Sequence, residues 1–189
     1  MFGWQNKLQA RERALEYATR NDFETIFNDD MSALHTLAFL LTADEAKAEK
    51  CFVAGLEESI QGNPVFRQWA RSWSKRVIIR HAITMMAPAP GQADSLSASL
   101  PAQATTDRDV LLYPILQLPP FERFVFVISV LEGHSASDCA SLLGCTLTEL
   151  TRARSQALTQ IALARGVAAD TPQPGKTAPI RFMVKPELA

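Results

Sequence analysis

Residues 133–150 read GHSASDCASLLGCTLTEL and contain two helix starts and one sharp stop. Ser135 is placed to cap a short helix, with an aspartate three residues later as its partner. Gly144 then ends that helix, because glycine adopts the left-handed backbone conformation of a helix C-terminus most readily. Thr146 opens the next helix, and Glu149 completes the second capping box, TLTE. This order predicts a helix-turn-helix.

The charge of this stretch is unusual for a DNA-binding helix-turn-helix. It contains no Lys or Arg, although such residues are expected where the second helix meets phosphate. The whole chain does not compensate, because its 19 basic and 20 acidic side chains give a net charge of −1. Any contact with nucleic acid must therefore come from a local basic patch rather than from a global positive field.

Composition indicates two helical segments. The chain has 189 residues, 47% of them hydrophobic, which suffices for one domain or two small ones. The segment 86–107 is rich in Pro, Ala and Ser, as flexible linkers are, and it separates 1–85 from 108–165. The sequence thus predicts an all-α fold of two small helical domains joined by a flexible linker, the second a four-helix domain with the helix-turn-helix. The remaining tail, 166–189, alternates weakly near its end, and we expect it to dock on a domain surface.

Helix signals also divide the first segment. Apolar residues recur at helical spacing over 22–41, with Asp29 and Asp30 as the point of interruption. The motif TADE predicts a capping box with Thr42 as the N-cap of the following helix. Further along, Asn63 is predicted as the N-cap of another helix, because Pro64 favours the first helical position.

The second segment resembles the C-terminal domain of the extracytoplasmic-function sigma factors of bacterial RNA polymerase. That domain characteristically runs Leu-Pro, Glu-Arg, an apolar helix, Glu-Gly and a helix-turn-helix. The corresponding parts here are Leu118-Pro119, Glu122-Arg123, residues 124–131, Glu132-Gly133 and the stretch that begins at Ser135. The chain is identified as a divergent member of this family.

The first segment also resembles the family in two places. LHTLAFLLTADEAKAEKCFVAGL, with Ala48-Glu49, is similar to its core-binding stretch. FRQWARSWSKRVIIRHAI is similar to the Trp-containing helix that reads and melts the promoter. The resemblance implies polymerase contacts at Glu49, Lys50 and Val53, although the family usually has Asp and Gln at the last two positions.

The resemblance implies a cytoplasmic promoter-specificity subunit. Such a protein binds core RNA polymerase and promoter DNA, has no catalysis of its own and needs no cofactor, and an anti-sigma factor is a further partner. The alternative is a sigma-like adapter, which binds a regulatory partner such as an anti-sigma factor and has lost productive DNA binding. The low charge of the last helix and the departures at Lys50 and Val53 favour the adapter, whereas a basic helix in the first segment favours the promoter-binding subunit.

This basic helix carries five cations, called here the basic row. Three recur at i, i+4 and i+8, where like charges repel by a few tenths of a kcal/mol per pair. If no internal carboxylate partners them, an external anion such as DNA is indicated. The alternative is a solvated face paired with the acidic patches at Asp29-Asp30 or Glu57-Glu58. The basic row comprises Arg67, Arg71, Lys75, Arg76 and Arg80.

The last helix has an outward side whose residues can contact bases or phosphates, called here the recognition face. At 100° per residue, its members are Thr148, Arg152, Ser155 and Gln156. The opposite, core-directed side is predicted to hold Leu147, Leu150, Ala153, Ala157, Leu158 and Ile161. An ordinary polar solvent face is the alternative interpretation.

Other chemistries find little support in the sequence. The three cysteines lack CxxC spacing, and neither metal-ligand spacing nor a phosphate loop is present. His134, Asp138 and Cys139 lie close together at a helix start, where capping already accounts for Asp138. No apolar run reaches the length of a membrane span, so a cytoplasmic protein is expected. The missing metal-ligand spacing predicts that it has no metal site.

Overall fold

The structure of the protein, a computed structural model, describes residues 16–91 and 107–169, with side chains described from 112 to 164 in the second range. The first range contains α1 (Arg20–Asp29), α2 (Met31–Thr42), α3 (Glu45–Gln61), a 3-10 turn (Arg67–Trp69) and α4 (Ala70–Met86). The second contains α5 (Asp107–Leu116), α6 (Pro120–Phe126), a π-helical turn (Val127–Leu131), α7 (Ala136–Leu143) and α8 (Leu147–Ala169). The predicted all-α class is confirmed for these ranges.

The start of α3 corrects one prediction. Asp30 does separate α1 from α2, as expected. Thr42, however, is not the N-cap of α3: it is buried in the last turn of α2 and donates to the Ala38 carbonyl at 2.9 Å. Ala43 ends α2 with a left-handed φ of 52°, and Asp44 then caps α3 by accepting from the Lys47 N–H at 2.9 Å. The N-cap therefore lies at Asp44, two residues after the predicted Thr42.

The start of α4 is a second correction. The helix begins at Ala70, after the 3-10 turn, and not at Pro64. The cause is a contact with a distant part of the chain: the Ala18 N–H donates to the Val65 carbonyl at 2.7 Å, and Tyr17 stacks on Phe66 at a ring distance of 4.7 Å. This pairing holds the backbone extended where local sequence favours a helix.

The two helices of the predicted helix-turn-helix, α7 and α8, have the expected caps. The Ser135 hydroxyl accepts from the Asp138 N–H at 3.1 Å, and Gly144 ends α7 with a φ of 62°. Thr146 and Glu149 form the reciprocal capping box. The Thr146 N–H donates to the Glu149 carboxylate at 2.8 Å, and the Glu149 N–H donates to the Thr146 hydroxyl at 3.2 Å. Each cap satisfies N–H groups that have no partner within the helix. Local sequence is therefore enough to position α7 and α8.

The two halves share one continuous buried cluster. In the first half, α2, α3 and α4 pack together, and in the second half α8 packs on α6. The halves meet where α2 contacts α5, α6 and the π-helical turn. The cluster includes Phe27, Leu34, Leu41, Ile78, Ile79, Phe121, Phe124, Ile128 and Leu150. That the halves are separate domains stays a prediction, and residues 92–106 of the linker, the tail from 170 and its alternating stretch lie outside the described residues.

The buried side of α8 is narrower than predicted. Leu150, Ala153 and Ala157 are buried, whereas Leu147 and Leu158 are exposed. Two alanines on the buried arc let α8 approach α6 closely, so residues at the margins of the arc fall outside the interface.

Candidate nucleic-acid interface

The recognition face is fully presented to solvent. Thr148, Arg152, Ser155 and Gln156 are all exposed and lie on one side of α8. Their contact with DNA stays a prediction. A shallow concavity of about 470 Å³ lies at the start of this side, lined by Leu147, Thr148, Thr151, Arg152 and Ser155. Hydroxyl, amide and guanidinium groups in one row can bond to base edges and phosphates. Contact between the two halves leaves this row uncovered.

A carboxylate occupies the position where a phosphate would gain most. The N-terminus of a helix favours anions, but here Glu149 already accepts from the Thr146 N–H. That backbone hydrogen bond, followed by the Thr146 hydroxyl and the nearby Arg152, holds the pKa of Glu149 below its usual range. Glu149 therefore stays ionised at neutral pH and opposes phosphate at the start of α8. The nearby cations are Arg152 and the exposed Arg154.

The basic row has internal carboxylate partners, so the premise that it lacks them is wrong. Four of its five cations form ion pairs: Arg67 with Asp22 at 3.1 Å, Lys75 with Glu132 at 2.8 Å, Arg71 with Asp30, and Arg80 with Glu58. Arg76 has no ion-pair partner among the residues that the structure describes. The acid-paired alternative fits Arg71 and Arg80, since their partners belong to the two acidic patches.

These pairs weaken the field of the basic row without locking it. The four paired cations keep 46–59% of their side-chain surface exposed, and exposed ion pairs contribute about 0–1 kcal/mol each. A phosphate can therefore displace a carboxylate. Five cations beside four carboxylates nevertheless leave only one excess positive charge, and affinity for duplex DNA depends on the number of phosphates neutralised.

His81 adds no charge to this side of α4. Its Nε2 lies 2.8 Å from Glu58 Oε2. This nitrogen is buried from solvent, yet it has no partner in hydrogen-bonding geometry among the described residues. Burial, together with the positive charge of Arg80, lowers the pKa of His81 below its usual value of 6.5. The contact with Glu58 lacks hydrogen-bonding geometry, so the effect of burial outweighs the attraction of this carboxylate. The ring is therefore neutral at pH 7.

An exposed tryptophan, Trp69, lies beside the basic row. Trp69 is 56% exposed, between Arg67 and Arg71 in the chain. Phe66 supports it edge-to-face at a ring distance of 5.2 Å. Tryptophans at helical spacing usually face a core, and Trp73 is indeed half-buried. Because α4 begins only at Ala70, Trp69 precedes the helix and is free to stack on a base.

The predicted polymerase contacts lie on another helix. Glu49, Lys50 and Val53 are all exposed on one side of α3, and Val53 is an apolar residue with no cover. The negative charge of Glu49 and the positive charge of Lys50 flank the apolar side chain of Val53, and protein interfaces likewise surround apolar residues with polar ones.

Two further findings concern chemistry and membranes. The Ser135 hydroxyl donates to the Asp138 carboxylate at 2.7 Å, so both side chains belong to the cap of α7, and burial raises the pKa of the Cys139 thiol, which disfavours the nucleophilic thiolate. Among the described residues no group of His, Cys, Asp and Glu is arranged to hold a metal ion. No helix in the described part of the chain is long and apolar enough to cross a membrane.

Comparison with known proteins gives limited similarity. No family model matches the chain, and no curated protein matches it. Among solved structures, the chain is similar to the sigma factor RpoE from Bartonella quintana, crystallised in complex with the anti-sigma factor NepR. The identity is 19% and the TM-score 0.46, over 77% of this chain and 98% of that chain. These values are too low to assign a common fold, so function must be inferred from the site.

Proposed function

We propose that the protein is a sigma-factor-like transcription initiation protein that binds core RNA polymerase and promoter DNA. It has no catalysis of its own and needs no cofactor. The observation that carries the proposal is the capped helix-turn-helix whose second helix presents the four polar residues of the recognition face in one exposed row. The motif order around Glu122-Arg123 and Glu132-Gly133 supports the same assignment.

DNA binding by this protein combines base contacts with little phosphate attraction. The recognition face supplies hydrogen-bonding groups and one cation, Arg152. The other positive charges come from Arg76 and from the four cations of the basic row whose carboxylate partners a phosphate can displace. Trp69 supplies a stacking surface for an unpaired base. Because the carboxylates beside α4 offset most of the row, we expect weak duplex affinity with a modest salt dependence.

A salt titration of DNA affinity tests this interface. The full chain would be compared with Arg152→Ala and with the basic row changed to Gln, by fluorescence anisotropy on random-sequence duplex and single strands. Neutralising the row is expected to remove more of the salt slope than Arg152→Ala, since each lost phosphate contact lowers the slope by about 0.9. A larger loss of salt slope in Arg152→Ala than in the neutralised row would contradict the claim that the basic row makes most of the phosphate contacts.

Neutralising the row also leaves its carboxylate partners unpaired, and their negative charge by itself would repel DNA. A matched variant separates this repulsion from the loss of phosphate contacts. Changing Asp22, Asp30 and Glu58 to their amides leaves the row intact and is expected to raise duplex affinity. Trp69→Ala should weaken single-strand binding more than duplex binding. DNA binding that no variant alters would place the interface elsewhere.

Polymerase binding is tested with purified bacterial core enzyme. Co-elution of the full chain with core polymerase in size-exclusion chromatography is expected, and Val53→Asp should abolish it. Met31→Asp is the matched control, because Met31 is also an exposed apolar residue but lies on α2. Absence of co-elution at micromolar concentrations would reject the promoter-specificity subunit.

The second candidate is a sigma-like adapter that binds a regulatory partner such as an anti-sigma factor. The nearly neutral surface of α4 favours it, because four carboxylates stand where a DNA-binding helix needs free cations. An adapter would bind neither core polymerase nor DNA in the two experiments above, whereas its Val53 surface would still bind a regulatory protein.

A further inference from the structure

We infer that Arg123 and Glu132 form a reversible latch that closes the second half onto the first, and that closing it withdraws Lys75 from DNA. Arg123 lies on α6 and Glu132 directly follows the π-helical turn that continues α6, and each reaches a different helix of the first half. The DNA part of this inference rests on the proposed function, and the closure part does not.

Arg123 provides the first contact. It is only 3% exposed, its Nε donates to the Leu41 carbonyl at 3.3 Å, and one terminal nitrogen donates to the carbonyls of Leu116 and Leu118 at 3.3 and 3.0 Å. Leu41 lies in the last turn of α2, where carbonyls have no partner within the helix. A guanidinium there also meets the negative end of the helix dipole. Arg123 thus caps a helix of the other half of the chain.

Glu132 provides the second contact. It follows the π-helical turn and pairs with Lys75 of α4 at 2.8 Å, with 17% of its own side chain exposed. The capping arginine and this glutamate therefore attach one rigid run to both α2 and α4. A charged contact at each attachment gives the closed arrangement a defined orientation.

The contact between the halves is suited to opening. Packing between α2 and α6 is sparser than the packing of α2 on α3 and of α6 on α8. On opening, the Leu41 carbonyl is hydrated, while Arg123 keeps the carbonyls of Leu116 and Leu118 within its own half. Glu132 and Lys75 can each be hydrated as well. No buried charge loses all its partners, so opening avoids the large penalty of an unpaired buried ion.

Closure and DNA binding then compete for one side chain. In the closed form Lys75 faces Glu132, and a phosphate at Lys75 must displace that carboxylate. DNA therefore favours the open form, and the closed form lowers DNA affinity. The coupling is modest, because the pair is partly exposed.

Hydrogen exchange on the full chain tests the latch without DNA. Loss of the Arg123 cap frays the last turn of α2, so amides of 39–43 report opening. Glu132→Gln is expected to accelerate their exchange roughly two- to fivefold, whereas Glu122→Gln, the same charge change on the same helical run, should not. The swap Lys75→Glu with Glu132→Lys should restore slow exchange. Equal rates in Glu132→Gln, Glu122→Gln and the unchanged protein would overturn the latch.

DNA binding then tests the coupling. Glu132→Gln should bind duplex DNA roughly two- to fivefold tighter than Glu122→Gln, because both variants lose one negative charge but only the first frees Lys75. Equal affinities of the two variants would overturn the competition. If no variant binds DNA, the proposed function fails, while the exchange difference still decides the latch. Circular dichroism confirms that each variant is folded.

Discussion

Replacing Arg123 by Gln should destabilise the second half of the protein far more than the first. The guanidinium donates to two carbonyls of its own half and to one of α2. Removing a buried, hydrogen-bonded charge and leaving its acceptors unsatisfied costs about 3–5 kcal/mol. We expect about 3 kcal/mol in the second half, since Gln can retain one bond. The first half loses only a helix cap, about 1 kcal/mol.

Two optical signals separate these effects. Trp69 and Trp73 lie in the first half, whereas circular dichroism at 222 nm reports helices in both, and Trp4, which precedes the described residues, is replaced by Phe in all variants. Urea unfolding followed by both signals should give coincident transitions for the unchanged protein. With a slope of roughly 1.5 kcal/mol/M for one half, the loss in Arg123→Gln should move part of the dichroism transition down by about 2 M. The fluorescence transition should move much less.

The control is Arg154→Gln, the same change at an exposed arginine of α8. The reasoning is refuted if Arg123→Gln shifts both signals by the same amount, since the halves would then unfold as one unit. It is refuted equally if the shift is no larger than that of Arg154→Gln.

Three further predictions concern the helix ends and the packing of α3 on α4. Gly144→Ala should lower the free energy of unfolding by about 1–2 kcal/mol, because φ is +62° and no atom within 4 Å would obstruct a methyl group. Thr146→Ala should cost about 1 kcal/mol. It should also reduce, without removing, the acid dependence of stability, because the hydroxyl bond to Glu149 is lost while the stronger hydrogen bond from the backbone N–H of residue 146 is kept. The pKa of Glu149 lies below its ordinary 4.5 in the folded state, so its stabilisation exists above that value and is lost as pH falls. Gly55→Ala places Cβ 2.9 Å from Cγ1 of the buried Ile78, and overpacking of about 1–3 kcal/mol should exceed the helix-propensity gain of about 1 kcal/mol.

Urea unfolding by circular dichroism measures all three. Gly91 also has a positive φ and open space, so Gly91→Ala should cost a similar amount if the backbone conformation alone causes the loss at Gly144. A Thr146→Ala profile parallel to that of the unchanged protein between pH 3 and 6 contradicts the assigned role of Glu149. For Gly55, an additional Ile78→Ala change should cost less than it does alone, and simple additivity would exclude the clash.

Local signals were predictable from sequence, and contacts between distant segments were not. Ser135, Gly144 and Thr146 act within a few residues, so their pattern alone was sufficient. The partners of Arg67 and Lys75 lie 45 and 57 residues away, and no spacing rule reveals them. Sequence alone therefore left open whether the basic row is paired with carboxylates.

The same distinction explains the displaced helix start and the exposed residues. Pro64 has the right local chemistry for a helix start, but pairing of Ala18 with Val65 overrides it. Leu147 has the right periodicity for burial, but the narrow packing of α8 on α6 leaves it outside. In both cases tertiary contacts outweighed a local preference.

The π-helical turn has a consequence for how this segment tolerates insertion and deletion. Its wider bonding, with the Glu132 N–H donating to the Val127 carbonyl at 2.9 Å, accommodates one residue more than an α-helix of the same course. Deleting one residue from this turn would restore regular α-helix along that course, whereas inserting a further residue would rotate everything downstream by about 100°. Glu132 would then leave Lys75, and α7 and α8 would face a different direction, although every cap and core residue remained. Length in this turn is therefore under stricter constraint than the identity of its side chains.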